Sequence, residues 1–207
     1  MPPEVTMKIK TICIDFGNVI GFFDHQRAIE QFARFTTMPT MELTLAIYGG
    51  TLEDDYEQGF LTTAEFTRQA KLNGRLTCSD GEFLAAFVDI FWRNAEVCDL
   101  IPQLAQNHQL LLASNTNDAH FKKYCEQFAD VIEHFDSLCP SHILQARKPH
   151  APYFERCQTY IESRPQECLF IDDLGVNTEA ARRHGWQTLD YQPKQNLHDQ
   201  LAALGVI

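Results

Sequence analysis

The chain has 207 residues, 44% hydrophobic and 22% charged, a composition that fits one large globular domain or a domain carrying an insertion. Its formal net charge of −11, with no Lys/Arg-rich run, argues against a nucleic-acid partner. No apolar stretch is long enough to span a bilayer, and the N-terminal MPPEVTMKIK lacks a signal-peptide core, so a cytoplasmic protein is expected.

Residues 11–20, TICIDFGNVI, read as a buried strand that stops at a Gly-Asn turn and leaves Asp15 at its carboxyl end. Residues 22–92 show no convincing strand. Apolar residues recur there at helical spacing, as in Ala28, Ile29, Phe32 and in Phe83, Leu84, Phe87. Thr62 and Thr63 precede a capped helix that Asn73-Gly74 ends. Four or five short helices, forming a small lid outside the sheet, are expected. Beyond residue 97 a helix leads to the strand 109–114, QLLLAS, and then to the turn Asn115-Thr116-Asn117-Asp118 and another helix. A short strand is expected at 134–138, and Arg147-Lys148-Pro149 should open a helix reaching residue 161. The strand 167–171 ends in Asp172-Asp173, followed by a helix at 175–184, a strand at 186–190 and a last helix at 197–204. This alternation predicts a parallel α/β sheet, Rossmann-like in kind.

The cysteines are odd in number, at 13, 78, 98, 125, 139, 157 and 168, without a C-x-x-C pair. Reduced thiols acting as small hydrophobes are expected, and no zinc site.

Three strands deliver polar groups at their carboxyl ends, namely Asp15, Ser114-Asn115 and Asp172-Asp173, with Lys148 in a loop before a helix. Ligands bind at those ends in an open parallel sheet. Each element alone has a plainer account: a turn, a solvated lysine, or a carboxylate at a helix N-terminus. Together they suit a hard cation and a phosphate. Clustered carboxylates repel each other unless Mg²⁺ is present, and Ser114, Asn115 and Lys148 are donors fitted to phosphate oxygens. Asp15 is then the candidate nucleophile.

The order of these residues resembles the haloacid dehalogenase-like (HAD) hydrolases across nearly the whole chain. Asp15-Phe16-Gly17-Asn18-Val19 matches their first motif, Ser114 the second, Lys148 in RKP the third, and Asp172-Asp173 the fourth. The resemblance implies a core of residues 1–21 and 93–207, with residues 22–92 inserted as a type 1 helical cap. D-x-G-N-V, SNT, DD-x-x-x-N and YEQGFLTTAEF further resemble the subgroup containing bacterial α-D-glucose-1-phosphate phosphatase. What this implies is an Mg²⁺-dependent phosphatase of a small phosphorylated metabolite, a sugar phosphate such as glucose 1-phosphate, working through an aspartyl-phosphate. Asp15, the Gly17 carbonyl and Asp173 would hold the metal, with Asp172 supporting it from behind. Lys148, Ser114 and Asn115 would bind the phosphoryl group. The alternatives are a 2-haloacid dehalogenase, disfavoured by the acidic pair, and a phosphate-binding protein with little turnover.

Two departures stand out. Gly17 replaces the family's usual second Asp, an acid–base group of a kind that contributes ~10²–10⁴-fold. Gln145 stands where the subgroup usually has Gly, a residue that often marks positive φ. Of the remaining polar and aromatic residues, Phe22 and Phe23 are expected in the lid core rather than the pocket wall. His25 is considered as a replacement acid–base group. His142 and His150 are expected at the surface, Trp92 at the hinge or over the site, and Glu57 as a solvated helix residue.

Overall fold

In a computed structural model of the chain, residues 8–193 and 195–207 are described. Most of the stretch read for a secretion signal, residues 1–7, lies outside them.

The chain opens with β1 (Thr11–Ile14) and the short β2 (Gly21–Phe23). Five helices follow: α1 (His25–Phe32), α2 (Thr40–Tyr48), α3 (Leu52–Glu57), α4 (Thr63–Asn73) and α5 (Asp80–Val88). Next come β3 (Phe91–Arg93), α6 (Ala95–Leu104), β4 (Gln109–Ser114), α7 (Asp118–Gln127) and the one-turn α8 (Ala129–Ile132). The chain then forms β5 (Ser137–Pro140), α9 (Ser141–Leu144), α10 (Ala151–Gln158) and β6 (Cys168–Asp172). It closes with α11 (Gly175–His184), β7 (Gln187–Asp190) and α12 (Leu197–Ala203).

Five strands form one parallel sheet in the order β5-β4-β1-β6-β7, the expected α/β architecture. The chain adds strands on one side of β1 and then on the other, so the carboxyl ends of β4, β1 and β6 lie side by side where the strand order reverses. Both faces are covered, which is why the strands read as continuous apolar runs. Ile12, Ile14, Leu110, Leu112, Leu169 and Ile171 pack on one face. Cys13, Leu111, Ala113 and Phe170 pack on the other, against Tyr153 and Phe154. All seven cysteines are free, and six of them are buried.

The helices between β2 and β3 bury a separate apolar cluster that includes Ile29, Phe32, Phe66, Phe83 and Phe87. Capping boxes fix two of their starts, Thr62 with Glu65 and Ser79 with Glu82. Each satisfies backbone N–H groups that a helix leaves unpaired.

The structure corrects several sequence expectations. The region taken as strand-free is bracketed by β2 and β3, which pair antiparallel with Phe22 opposite Trp92. Strands of three residues paired across about 70 positions leave no local period to read. The strand expected at 134–138 begins at Ser137, because residues 133–136 turn out of α8. Pro149 precedes α10 instead of opening it, and Pro152 occupies its first turn. Gln145 adopts φ 50°, so the left-handed position survives without glycine.

Candidate active site

Asp15 follows the last residue of β1, and its Oδ1 accepts from the Phe16 amide at 2.7 Å and faces Lys148 Nζ at 2.8 Å. Oδ2 has no hydrogen-bond donor among the described residues and remains available for a reacting atom. Lys148 is buried and donates also to Asp172 Oδ2 at 2.7 Å and the Ala113 carbonyl at 2.9 Å. An ammonium has three protons, and three acceptors use them.

Asp172, fully buried at the end of β6, accepts from the Leu174 amide, from Asn177 Nδ2 on both oxygens, and from Lys148. These four contacts fill its usual acceptor capacity. Asp173 is half-buried, and Asn18 Nδ2, at 3.1 Å, is the one side chain among the described residues that donates to it. Asn18 stands at φ 55° in the turn after β1, a conformation that Asn tolerates better than most residues.

Ser114 and Asn115 lie at the end of β4, also as expected. Asn115, however, exchanges two hydrogen bonds with the Lys148 backbone: Nδ2 donates to its carbonyl at 3.0 Å and Oδ1 accepts from its amide at 2.8 Å. Its side chain therefore pins the Lys148 loop to β4. The Ser114 hydroxyl makes a long contact, 3.4 Å, to the Asn115 carbonyl and lies beside the Tyr124 hydroxyl.

The charges do not balance. Asp15, Asp172 and Asp173 each place a carboxylate oxygen within 4.8 Å of the others, against the single ammonium of Lys148. Burial pushes the Asp15 carboxyl up to about 8; Lys148 pulls it down, while Asp172 and Asp173 push it further up. Burial, partly offset by Asn18, also raises Asp173. Burial works against the charge of Lys148 too, but Asp15 and Asp172 overcome it and hold the ammonium above its ordinary value. An all-oxygen cluster short of positive charge fits a hard divalent cation such as Mg²⁺.

Above the carboxylates lies a hollow lined by Asp15, Asn18, Lys148, Asp173 and Asn177. It adjoins a second, of about 70 Å³, under the inserted helices. Gly17, Phe23, Glu57 and Asn115 line both. Phe23 is thus a wall residue as well as a lid-packing one, which corrects the core-only expectation. A Cβ on Gly17 would meet its ring at 3.0 Å, so Phe23 occupies the room where a longer residue would begin.

Three further expectations change. Glu57 is not solvated: it faces both hollows and pairs with Arg147 at 2.9 Å, while Arg147 also binds Asp54. His142 is half-buried, its Nδ1 at 3.1 Å from the Thr116 carbonyl, whereas His150 is exposed as expected. Trp92 lies on the β2–β3 ribbon, near the rings of Phe22 and the guanidinium of Arg27, and lines neither hollow. His25 does line the second hollow, stacked on Tyr48 at 4.2 Å, and burial lowers its pKa.

Sequence reasoning missed Glu53, Arg147 and His120 as site residues. Arg147 adjoins Lys148 in the sequence, but nothing local marks Glu53 on α3 or His120 on α7 as facing the same space. Asn177 was visible as the last letter of DD-x-x-x-N, though not its grip on Asp172.

Comparison with known proteins identifies the family. A model of a family of hydrolases, the haloacid dehalogenase-like hydrolases, matches residues 9–185. A D-ribitol-5-phosphate phosphatase of Bacteroides thetaiotaomicron is 28% identical over 196 residues, covering 90% of this chain and 92% of that protein. A HAD family enzyme from the same organism, solved in complex with magnesium and inorganic phosphate, superposes with a TM-score of 0.79 at 26% identity, covering 93% of this chain and 98% of that one. A predicted HAD-like family hydrolase from Porphyromonas gingivalis shares the fold, with a TM-score of 0.81 at 24% identity and coverage of 96% and 98%.

Proposed function

The chain belongs to the haloacid dehalogenase-like hydrolases, and from that premise we propose that it is a magnesium-dependent phosphatase of a small polyhydroxylated phosphate ester. The observation that carries the reading is Asp15 with one oxygen anchored and the other open, inside an acidic cluster that one lysine only partly neutralises. Both the ribitol-phosphate relative and the glucose 1-phosphate subgroup that the sequence resembles act on a phosphorylated polyhydroxylated carbon chain. Neither names the ester this protein uses.

Asp15 Oδ2 attacks phosphorus as the P–O bond to the leaving group breaks and the departing oxygen takes a proton from water; a further water then hydrolyses the aspartyl-phosphate, releasing inorganic phosphate and the Asp15 carboxylate. Asp15, the Gly17 carbonyl and Asp173 would hold Mg²⁺, which when bound offsets the negative charge shared by carboxylates and phosphoryl oxygens. Asp172 has its acceptors filled, so it fixes Lys148 and Asn177 behind the site instead. Lys148 holds Asp15 in the attacking orientation and reaches a phosphoryl oxygen by giving up one of its three partners. The Ser114 hydroxyl, weakly held at the end of β4, receives the phosphoryl group directly, and Asn115 keeps the Lys148 loop in register. Such fixed donors act where charge develops and need no reorganisation. Residues 22–92 serve as a cap over the leaving group, attached through β2 and β3.

A 2-haloacid dehalogenase would use an aspartate on carbon without a metal, but a carboxylate substrate would meet the surplus acids of this cluster. The test is phosphate release from a panel of sugar, alditol and aryl phosphates with Mg²⁺ and with chelator. Magnesium-dependent release supports the reading, and chloride release from 2-haloacids without metal would replace it.

A further inference from the structure

On the phosphatase reading, the hollow under the inserted helices lies on the leaving-group side of the carboxylate cluster, and besides the buried His120 its titratable groups come from two elements. From α3 come Glu53 and Glu57, and from the start of α1 comes His25. Among the described residues, no lysine or arginine lines that hollow. The two cations beside it are already engaged: Arg147 by Glu57 and Asp54, and Lys148 by Asp15, Asp172 and, on the phosphatase reading, the phosphoryl group. A second anionic group on a substrate would enter a buried space with no cation to meet it, which is costly.

The same space is well supplied for hydroxyl groups. Burial, aided by the neighbouring charge of Glu57 and opposed by Arg147, raises the Glu53 carboxyl to about 8, so at neutral pH it offers both a donor and an acceptor. Behind the wall of this hollow the Tyr48 hydroxyl is buried without a hydrogen-bond partner among the described residues. The His25 ring stacks on Tyr48 and lies 3.9 Å from Glu53. Phe23 and Phe91 supply the apolar walls that a carbon chain requires.

Resting on the phosphatase reading, we propose that Glu53 and Glu57 set specificity: Glu53 binds hydroxyls of the leaving group, and Glu57, by committing Arg147, excludes a second anion. The substrate is then a monophosphate of a neutral hydroxylated chain. Bisphosphates and phosphorylated carboxylic acids are rejected.

The experiment compares an alditol phosphate with the aldonate phosphate of equal length, in which the terminal CH₂OH is a carboxylate. Phenyl phosphate, which has no hydroxyls, serves as the control for phosphatase chemistry. With Mg²⁺, wild type should prefer the alditol ester by roughly tenfold or more in kcat/KM, expressed in KM, as expected for one uncompensated charge at short range. Glu57→Gln should shift the ratio toward the aldonate. Glu53→Ala should raise KM for the alditol ester and leave that for phenyl phosphate nearly unchanged, and Glu53→Gln should recover much of the loss. Melting curves establish that each variant is folded. Equal turnover of the two esters by wild type, or an unchanged ratio in folded Glu57→Gln together with an unchanged KM in Glu53→Ala, overturns the proposal. Calorimetric binding of both esters to Asp15→Asn reads the preference without turnover. A preference there, with no hydrolysis of any ester by wild type, would sink the phosphatase reading alone.

Discussion

The Lys148 ammonium lies 2.8 Å from Asp15 Oδ1, deep at the joint between β1 and the loop before α10, and its other protons go to Asp172 and the Ala113 carbonyl. One cation thereby ties together the ends of β1, β4 and β6. The contact both positions the attacking carboxylate and limits the repulsion between it and Asp172. Stability and catalysis should respond in opposite directions when Asp15 is changed, and should both fall when Lys148 is changed.

Asp15→Asn should abolish turnover, since an amide cannot form the acyl-phosphate, and should stabilise the metal-free protein. Asp15 titrates higher in the fold, about 8, than in the unfolded chain, about 4, so its ionisation costs the fold stability as pH rises between those values. The gain should therefore vanish below pH ~4 and be largest above pH ~8. At neutral pH a gain of about 1–2 kcal/mol corresponds to roughly 3–6 °C in Tm for a chain of this size. Lys148→Met should lose turnover and destabilise by ~3–5 kcal/mol, because it strands buried carboxylates. Equal Tm for wild type and both variants would contradict the ion-pair account.

Asp172→Ala and Asp173→Ala should separate cleanly. The first strands Lys148, Asn177 Nδ2 and the Leu174 amide, so its main effect should be a stability loss of ~2–4 kcal/mol. The second removes one half-buried contact with Asn18 and should chiefly weaken Mg²⁺ binding. Calorimetric Mg²⁺ titration beside denaturant melts measures both. Wild-type Mg²⁺ affinity in Asp173→Ala would reverse the ranking.

Without an acid at position 17, rates for aryl phosphates should fall steeply as leaving-group pKa rises. Gly17→Asp alone should be poorly accommodated, because its Cβ meets the Phe23 ring at 3.0 Å. Gly17→Asp with Phe23→Ala should flatten the dependence. A flat dependence in wild type would mean that another group already supplies the proton.

His120 should make the fold acid-sensitive. Buried, it donates from Nε2 to the Phe87 carbonyl at the end of α5 and accepts at Nδ1 from Asn117, so the fold requires the neutral ring. Burial lowers its pKa to about 3, against 6.5 for an ordinary histidine. Stability from this group is complete above pH 6.5 and declines as pH falls toward 3, because only the unfolded chain takes up the proton. Between pH 6.5 and pH 5 the loss should be about 2 kcal/mol, and His120→Gln should be less stable at neutral pH but lose less over that interval. Parallel pH–stability curves for the two proteins would refute this assignment.

The amino-acid sequence by itself determined the sheet and the four polar strand-end or loop positions. Short apolar runs stopped by Gly-Asn, Ser-Asn and Asp-Asp are local signals, and local sterics and hydrogen-bonding chemistry fix where a strand must end. The α/β class follows from their alternation with helices, and the placement of Asp15, Ser114 and Asp172-Asp173 on one sheet edge follows from parallel strands all ending on the same side. Tertiary structure alone decided the partners. That Asn115 is spent on the Lys148 backbone, that Asp172 is saturated while Asp173 is not, and that Phe23 fills the space beside Gly17 depend on distances between residues far apart in the chain. So does the meeting of Glu53, Glu57 and Arg147. A glutamate on an amphipathic helix reads as solvated until the helix is docked, and β2 and β3 cannot be read until each has the other to pair with. Periodicity reports which face of an element is apolar, whereas the identity of the group across the gap is set by how the elements pack.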